Sequence, residues 1–288
     1  MATLGKAKKI KNEEGVMGLT DHLREFRNRL AVVGILFIVL MFASFAFSQD
    51  ILNAMLETGR SNGYQLQVVD PTELFLSAFR ISVFAALAID SPFILYEIFA
   101  FAAPGLKKNE KQFLLFLLVC GFGFFVLGAL FAYNIMVPFM LKFLFQFNKM
   151  ADVIYNVSVS NYMALYVSMM LALGCVFEMP VLVVLLTQLG FLRPEWMVAG
   201  RRVAIVLMFV LGAAITPPDI VSQCMVAIPL IGLYELSIFF SKIVWKRRLA
   251  RNPYLAEEEE ERQKEREAER AEEERRMAAA QAAAKKKR

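Results

Sequence analysis

The acidic residues with chemical potential in this chain stand beside or inside long apolar runs. Glu25 sits in Leu23-Arg24-Glu25-Phe26-Arg27-Asn28-Arg29, and Glu110 follows Lys107-Lys108-Asn109, each among basic residues at the border of an apolar segment. Two carboxylates near one surface can hold a pair of guanidinium groups through bidentate, charge-assisted bonds. Local roles fit the same residues: Glu25 is spaced i,i+4 from Arg29, and Glu110 precedes a helix whose N-terminus favours negative charge. Glu178, in Gly174-Cys175-Val176-Phe177-Glu178-Met179-Pro180-Val181, lies deep in an apolar run. If that run crosses a bilayer, an ionised carboxylate there costs on the order of 3 kcal/mol, so it is expected to be neutral or turned to a polar partner. Pro180 frees a backbone carbonyl one turn earlier, which adds to a polar notch. A contact between helices and a site for another protein both fit Glu178. Arg80 and Asp90 share a further apolar run and are expected to face protein or a water-filled concavity.

Catalysis finds no support in these residues. His22, the only histidine, has no cysteine or serine partner in a motif, and no HExxH, GxSxG, P-loop or paired-aspartate pattern occurs. It reads as an interfacial or capping residue. Cys120, Cys175 and Cys224 lie singly in apolar runs, without the paired spacing of a metal site, and read as packing residues. Neither an enzyme, a cofactor nor a metal is expected. The net charge of +5 comes from residues flanking apolar runs and from a mixed-charge tail, so orientation in a membrane explains it better than nucleic acid.

The elements that must position these groups follow from hydropathy. With 58% hydrophobic residues and a mean hydropathy of +0.50, the chain reads as an all-α polytopic membrane protein. Residues 1–18 form a basic leader. Thr20-Asp21 can cap a short amphipathic helix on which Leu19, Leu23, Phe26 and Leu30 share a face, while Arg24, Arg27 and Arg29 meet headgroups. Six spans are expected at about residues 30–47, 71–101, 112–137, 162–188, 203–215 and 220–240, within a membrane domain of 19–245. The first run is longer than the roughly 7–15 residues of a signal-peptide core and lacks a small-residue cleavage site, so it counts as a span. Pro92 is positioned to kink the second span, and Thr216-Pro217-Pro218-Asp219 to turn the chain tightly before Asp219 starts the sixth. Spans five and six are the shortest consecutive pair, which would thin the bilayer around them. Residues 246–288 form a charged tail without an apolar stripe, suited to an isolated helix or to disorder.

Lysines and arginines set the orientation. Lys6, Lys8, Lys9, Lys11, Arg24, Arg27, Arg29, Lys107, Lys108, Lys111, Arg193, Arg201, Arg202, Lys246, Arg247 and Arg248 fall on one side, against little more than Arg60, Lys142 and Lys149 on the other. The positive-inside rule puts both termini in the cytoplasm.

Taken in order, several of these segments resemble one family. His22-Leu23-Arg24-Glu25-Phe26-Arg27-Asn28-Arg29-Leu30 is similar to the N-terminal HLxELRxRL signature of TatC proteins, the core receptors of twin-arginine translocation, with Phe26 where leucine is usual. Phe101-Ala102-Ala103-Pro104-Gly105-Leu106 followed by Glu110, then Phe177-Glu178-Met179-Pro180, Thr216-Pro217-Pro218-Asp219, Ser222-Gln223 and Leu233-Tyr234-Glu235 match later motifs of that family. The resemblance covers about residues 19–241. It implies a concave six-helix receptor in the bacterial cytoplasmic (inner) membrane that binds the twin-arginine signal peptides of folded cargo at its cytoplasmic face. Glu25 and Glu110 match residues that recognise the arginines, with Arg27, Phe101, Pro104, Leu106 and Lys108 in or near the same surface. The implied partners are the single-span proteins TatA and TatB and further receptor copies in a homo-oligomer, acting with the proton-motive force. Glu178 then becomes an intramembrane polar contact, with Thr216, Pro217, Pro218, Asp219, Gln223 and Glu235 supporting the short spans. The competing class is a secondary transporter or channel with Glu178, Asp90 and Arg80 along a solute or proton path, although no three-span repeat or paired broken helices are present.

Overall fold

The computed structural model describes residues 19–102, 111–149, 156–216 and 219–286, which are helical apart from one short strand pair and the connecting turns. The chain divides into two compact units, Met1–Gly174 and Cys175–Arg288.

In the first unit the amphipathic segment and the first span form one helix, α1 (Leu19–Ala46). Nothing between them breaks the backbone ladder, so a polar start and an apolar body share one axis. After α2 (Ser48–Ser61) comes α3 (Glu73–Ala102), 30 residues long with Pro92 inside it. α1 and α4 (Lys111–Phe131) both pack against α3. The third span does not end at residue 137: α4 passes through a π-helical turn, Ala132–Met136, into α5 (Val137–Lys149). The wide turn immediately precedes Pro138, which has no N–H for the carbonyl four residues back. α6 (Val159–Phe177) completes the unit.

The two inter-span segments of this unit close on each other as a cap. Strands β1 (Leu66–Gln67) and β2 (Val157–Ser158) pair in parallel, with Leu66 opposite Val157. Tyr64 stacks on Phe145 at 4.6 Å, and the buried Tyr162 hydroxyl donates to the Met55 carbonyl at 3.3 Å. Gly59 permits that approach, since a Cβ there would lie 2.9 Å from the Tyr162 oxygen. Arg80 faces protein, as one of the two expected environments: it donates to the Ser160 carbonyl at 3.0 Å and its hydroxyl at 3.1 Å. Glu73 accepts from the Ser158 hydroxyl at 2.9 Å, so side chains of α3 hold the end of β2 and the start of α6.

The second unit is organised by α10 (Ile220–Arg251), which packs against α7 (Met179–Leu189), α8 (Pro194–Ala199) and α9 (Arg201–Ile215). Buried Val183, Met197 and Ile238 form a core under Met179, Leu192 and Tyr234. Polar stitches supplement it: the Thr187 and Ser241 hydroxyls lie 2.7 Å apart, and Tyr234 donates to the Met197 carbonyl at 2.8 Å. α7 ends at Gly190, whose φ of 87° is left-handed and whose missing Cβ leaves room for the Arg248 guanidinium. Among the described residues, five helices are long and apolar enough to cross a membrane. α9 is the sixth apolar helix, but its 15 residues rise only about 22 Å, short of a hydrocarbon core roughly 30 Å thick. The expected all-helical, multi-pass membrane architecture is the one found.

The helix that begins with the expected sixth span, α10, extends past residue 240 to Arg251, and the tail follows as a 34-residue helix, α11 (Pro253–Lys286). That helix is anchored without an apolar stripe. Glu259, 5% exposed, pairs with Arg193 at 3.4 Å, and Arg266 pairs with Glu195 at the start of α8. Arg193 also lies over the rings of Trp196 and Trp245, at 5.7 and 5.8 Å. Burial pushes the Glu259 carboxyl above its ordinary value, and Glu195 pushes it further, outweighing the pull of Arg193 and Arg262. The attached state therefore binds the proton more tightly than the detached one, and protonation favours attachment. α11 is expected to be held most firmly below the ordinary carboxylate range and to loosen as the pH rises through the raised value. Amide-exchange protection factors for residues 256–266 between about pH 4 and pH 8 check this; protection that grows with pH would refute it.

Candidate functional site

The polar site best defined by side-chain geometry lies where the start of α1 meets the end of α3. Glu25 and Arg29 are one turn apart on α1, which brings their side chains together. Arg29 Nη2 and Nε donate to Glu25 Oε1 at 2.6 and 3.0 Å, while Nη1 donates to Glu97 Oε2 of α3 at 2.6 Å. One guanidinium thus joins two carboxylates from two helices. The cluster remains open to solvent: the side chains of Arg29, Glu25 and Glu97 are 27%, 26% and 14% exposed. Beside it, the Phe26 and Phe101 rings pack at 5.1 Å with 53° between their planes. Arg27 is exposed, with a 3.5 Å contact to its neighbour Asn28.

Glu25, Arg27 and Phe101 are therefore brought to one end of the α1–α3 pair. Pro104, Leu106, Lys108 and Glu110 lie outside the described residues, and with them the expected pairing of Glu25 and Glu110. Glu97 belongs to the cluster and is absent from the expected site. Its signal was a lone acidic residue in the apolar stretch Ile94-Leu95-Tyr96-Glu97-Ile98, one helical turn before Phe101.

The other expected residues fall in the second unit. Glu178 stands at the junction of α6 and α7, where its amide bonds Cys175 and its carbonyl accepts from Val181 and Leu182 at 3.0 and 3.2 Å. Pro180 in the first turn of α7 lets the helix restart there. The backbone is satisfied, but Oε1 of the carboxyl is sealed from solvent and has no partner among the described residues. The polar groups near the α9–α10 turn are mostly engaged internally. Thr216 donates to the Gly212 carbonyl at 2.9 Å, Gln223 to the Phe209 carbonyl at 3.0 Å, and Asp219 caps α10 by accepting from the Ser222 amide at 2.7 Å. Pro217 and Pro218 lie outside the described residues. Glu235 pairs with Arg201 at 2.7 Å across α9 and α10. Asp90 is fully buried with neither carboxyl oxygen hydrogen-bonded among the described residues.

These features define a multi-pass helical membrane protein whose best-formed polar site joins carboxylates to a guanidinium. A sequence profile described as Sec-independent protein translocase protein (TatC) matches residues 21–229. The chain is 37% identical over 227 residues to the Sec-independent protein translocase protein TatC of Helicobacter pylori strain J99, covering 78% of this chain and 89% of that protein. It is 36% identical over 236 residues to the TatC of Aquifex aeolicus, covering 81% and 98%. A crystal structure of the twin arginine translocase receptor TatC superposes with a TM-score of 0.68 at 36% identity, over 77% of this chain and 99% of that one. The chain belongs to the TatC family, and so is a component of the Sec-independent, twin-arginine translocase.

The sealed Glu178 oxygen allows a direct test of whether the carboxyl braces its own unit. Replacing an unpartnered buried polar atom by an apolar one removes a desolvation cost of about 1–3 kcal/mol. Glu178→Leu is therefore expected to leave thermal unfolding in detergent unchanged or shifted upward. A marked fall in the unfolding temperature would mean that the carboxyl holds the unit together.

Proposed function

We propose that this chain binds the twin-arginine signal peptides of folded proteins at its cytoplasmic face and assembles with TatA and TatB for export driven by the proton-motive force. In this reading it lies in the bacterial inner membrane with both termini cytoplasmic, works as a binding receptor rather than an enzyme, and acts within a homo-oligomeric receptor complex. The observation that carries it is the state of Glu25: its carboxylate already accepts two hydrogen bonds from a guanidinium, at 2.6 and 3.0 Å. That is the bond a signal arginine would make. Glu110 would take the second arginine, with Lys108, Pro104 and Leu106 close to it in sequence, and Arg27 and the Phe26–Phe101 pair beside Glu25. Basic residues concentrated on one side of the spans support the orientation.

For partner assembly, Glu178 is the candidate, its Oε1 having no partner among the described residues. Thr216, Asp219, Gln223 and Glu235, with Pro217 and Pro218, would shape the same unit rather than touch a partner first. The transporter reading loses its relay in the first unit. Arg80 is engaged by Ser160, and Asp90, ten residues on along α3, makes no bond to it.

Glu25→Ala and Glu110→Ala are each expected to reduce cross-linking of a twin-arginine signal peptide to the purified chain by about tenfold, with membrane insertion intact. Unchanged cross-linking in both variants would overturn the assignment. Glu178→Ala is expected to spare that cross-link and to diminish the one to TatA or TatB.

A further inference from the structure

Arg29 presents to Glu25 the same group that a signal arginine would bring. The free chain therefore does not offer Glu25 as a bare carboxylate: two of the guanidinium's nitrogens hold Oε1, and a third holds Glu97 Oε2 at 2.6 Å. The cluster is about three-quarters buried yet still reachable from solvent. A ligand must compete with an internal arginine for the site.

We infer that Arg29 is an internal competitor for the signal site, a guanidinium that must be displaced from Glu25, with Glu97 as the carboxylate that retains it when it moves. This rests on the proposed signal-peptide role of Glu25. The chemistry follows from the geometry of the two cations. An incoming arginine can replace the bonds that Arg29 gives up, because its planar fork matches the carboxylate equally well. A lysine ammonium, a point charge without that fork, replaces them incompletely. Glu97 lowers the barrier to exchange by keeping Arg29 paired throughout, since a part-buried cation stripped of all partners is costly. The cost of displacing Arg29 is common to every ligand, so it cancels from the difference between arginine and lysine. It instead lowers the absolute affinity, leaving useful binding only to a ligand that restores the bonds in full. The Phe26–Phe101 pair beside the cluster gives the non-polar flank against which a guanidinium plane or an apolar signal residue can lie.

The test uses the purified full chain in lipid nanodiscs and two fluorescent signal peptides that differ only in twin arginine against twin lysine. Wild type is expected to prefer the arginine peptide by about tenfold or more. Arg29→Gln removes the competitor, so both peptides should gain about tenfold while the preference persists. Glu97→Gln keeps the Arg29–Glu25 bonds but removes the retaining carboxylate, so the arginine peptide should weaken while the preference persists. If Arg29→Gln does not yield a monodisperse chain, Arg29→Lys serves instead: it keeps the charge without the fork, and both peptides should gain by a smaller factor. Unchanged or weakened binding of both peptides in the Arg29 variants would mean that Arg29 only braces α1 against α3 and would overturn the inference. A wild type that binds neither peptide, or both alike, would instead overturn the proposed signal-peptide role.

Discussion

Hydrocarbon offers no hydrogen bonds to a backbone, and the rest of this chain is arranged around that constraint. Every long apolar segment is helical because only a helix satisfies its own N–H and C=O groups there. Where the ladder is interrupted, the structure supplies a local remedy. A π-helical turn precedes Pro138, the Glu178 carbonyl accepts two amides where α7 restarts, and Asp219 caps α10. The interruptions fall at segment junctions, where side chains can also reach each other.

Polar side chains obey the same rule at greater cost, and they sort by what surrounds them. Arg80 lies on an apolar helix but is satisfied by the first residues of α6. Thr187 and Ser241 satisfy each other across two helices. At the border of the apolar region, Glu25, Arg29 and Glu97 share charge in a geometry that tolerates partial burial. Asp90 and Glu178 stand apart: both carboxyl oxygens of Asp90 and Oε1 of Glu178 are sealed and have no partner among the described residues. An unpaired buried carboxyl is costly where it stands, and the described residues show no local offset for it.

Much of this was legible in the sequence, for reasons that differ by feature. Length and uniform apolarity announce a span without knowledge of its neighbours, which is why the all-helical membrane class could be read directly. The ends of spans were less legible, because continuation through Pro138 depends on a π-turn, and continuation of α10 to Arg251 needs only that charged residues remain helical beyond the apolar stretch. Glu25 with Arg29 was visible as an i,i+4 pair on one helix. Glu97 was not, because its partner lies 68 residues earlier in the chain and no periodicity links two helices. The anchoring of α11 was hidden likewise: its composition suits a solvated helix, and only the placement of Arg193 and Glu195 gives Glu259 and Arg266 a surface to meet.

The Glu25–Arg29–Glu97 cluster also bears on how a membrane protein can hold a binding carboxylate ready. A bare glutamate at the border of a low-dielectric region attracts any cation and gains little from discriminating among them. A glutamate already paired with a guanidinium is stabilised in the free state and answers only to a ligand that restores the same bonds. The second carboxylate from α3 makes that arrangement mechanically coherent, since it ties the polar beginning of α1 to the end of the neighbouring helix. Recognition and architecture then draw on one set of bonds, so the site is ordered before a ligand arrives and the entropy of ordering it is not charged to binding.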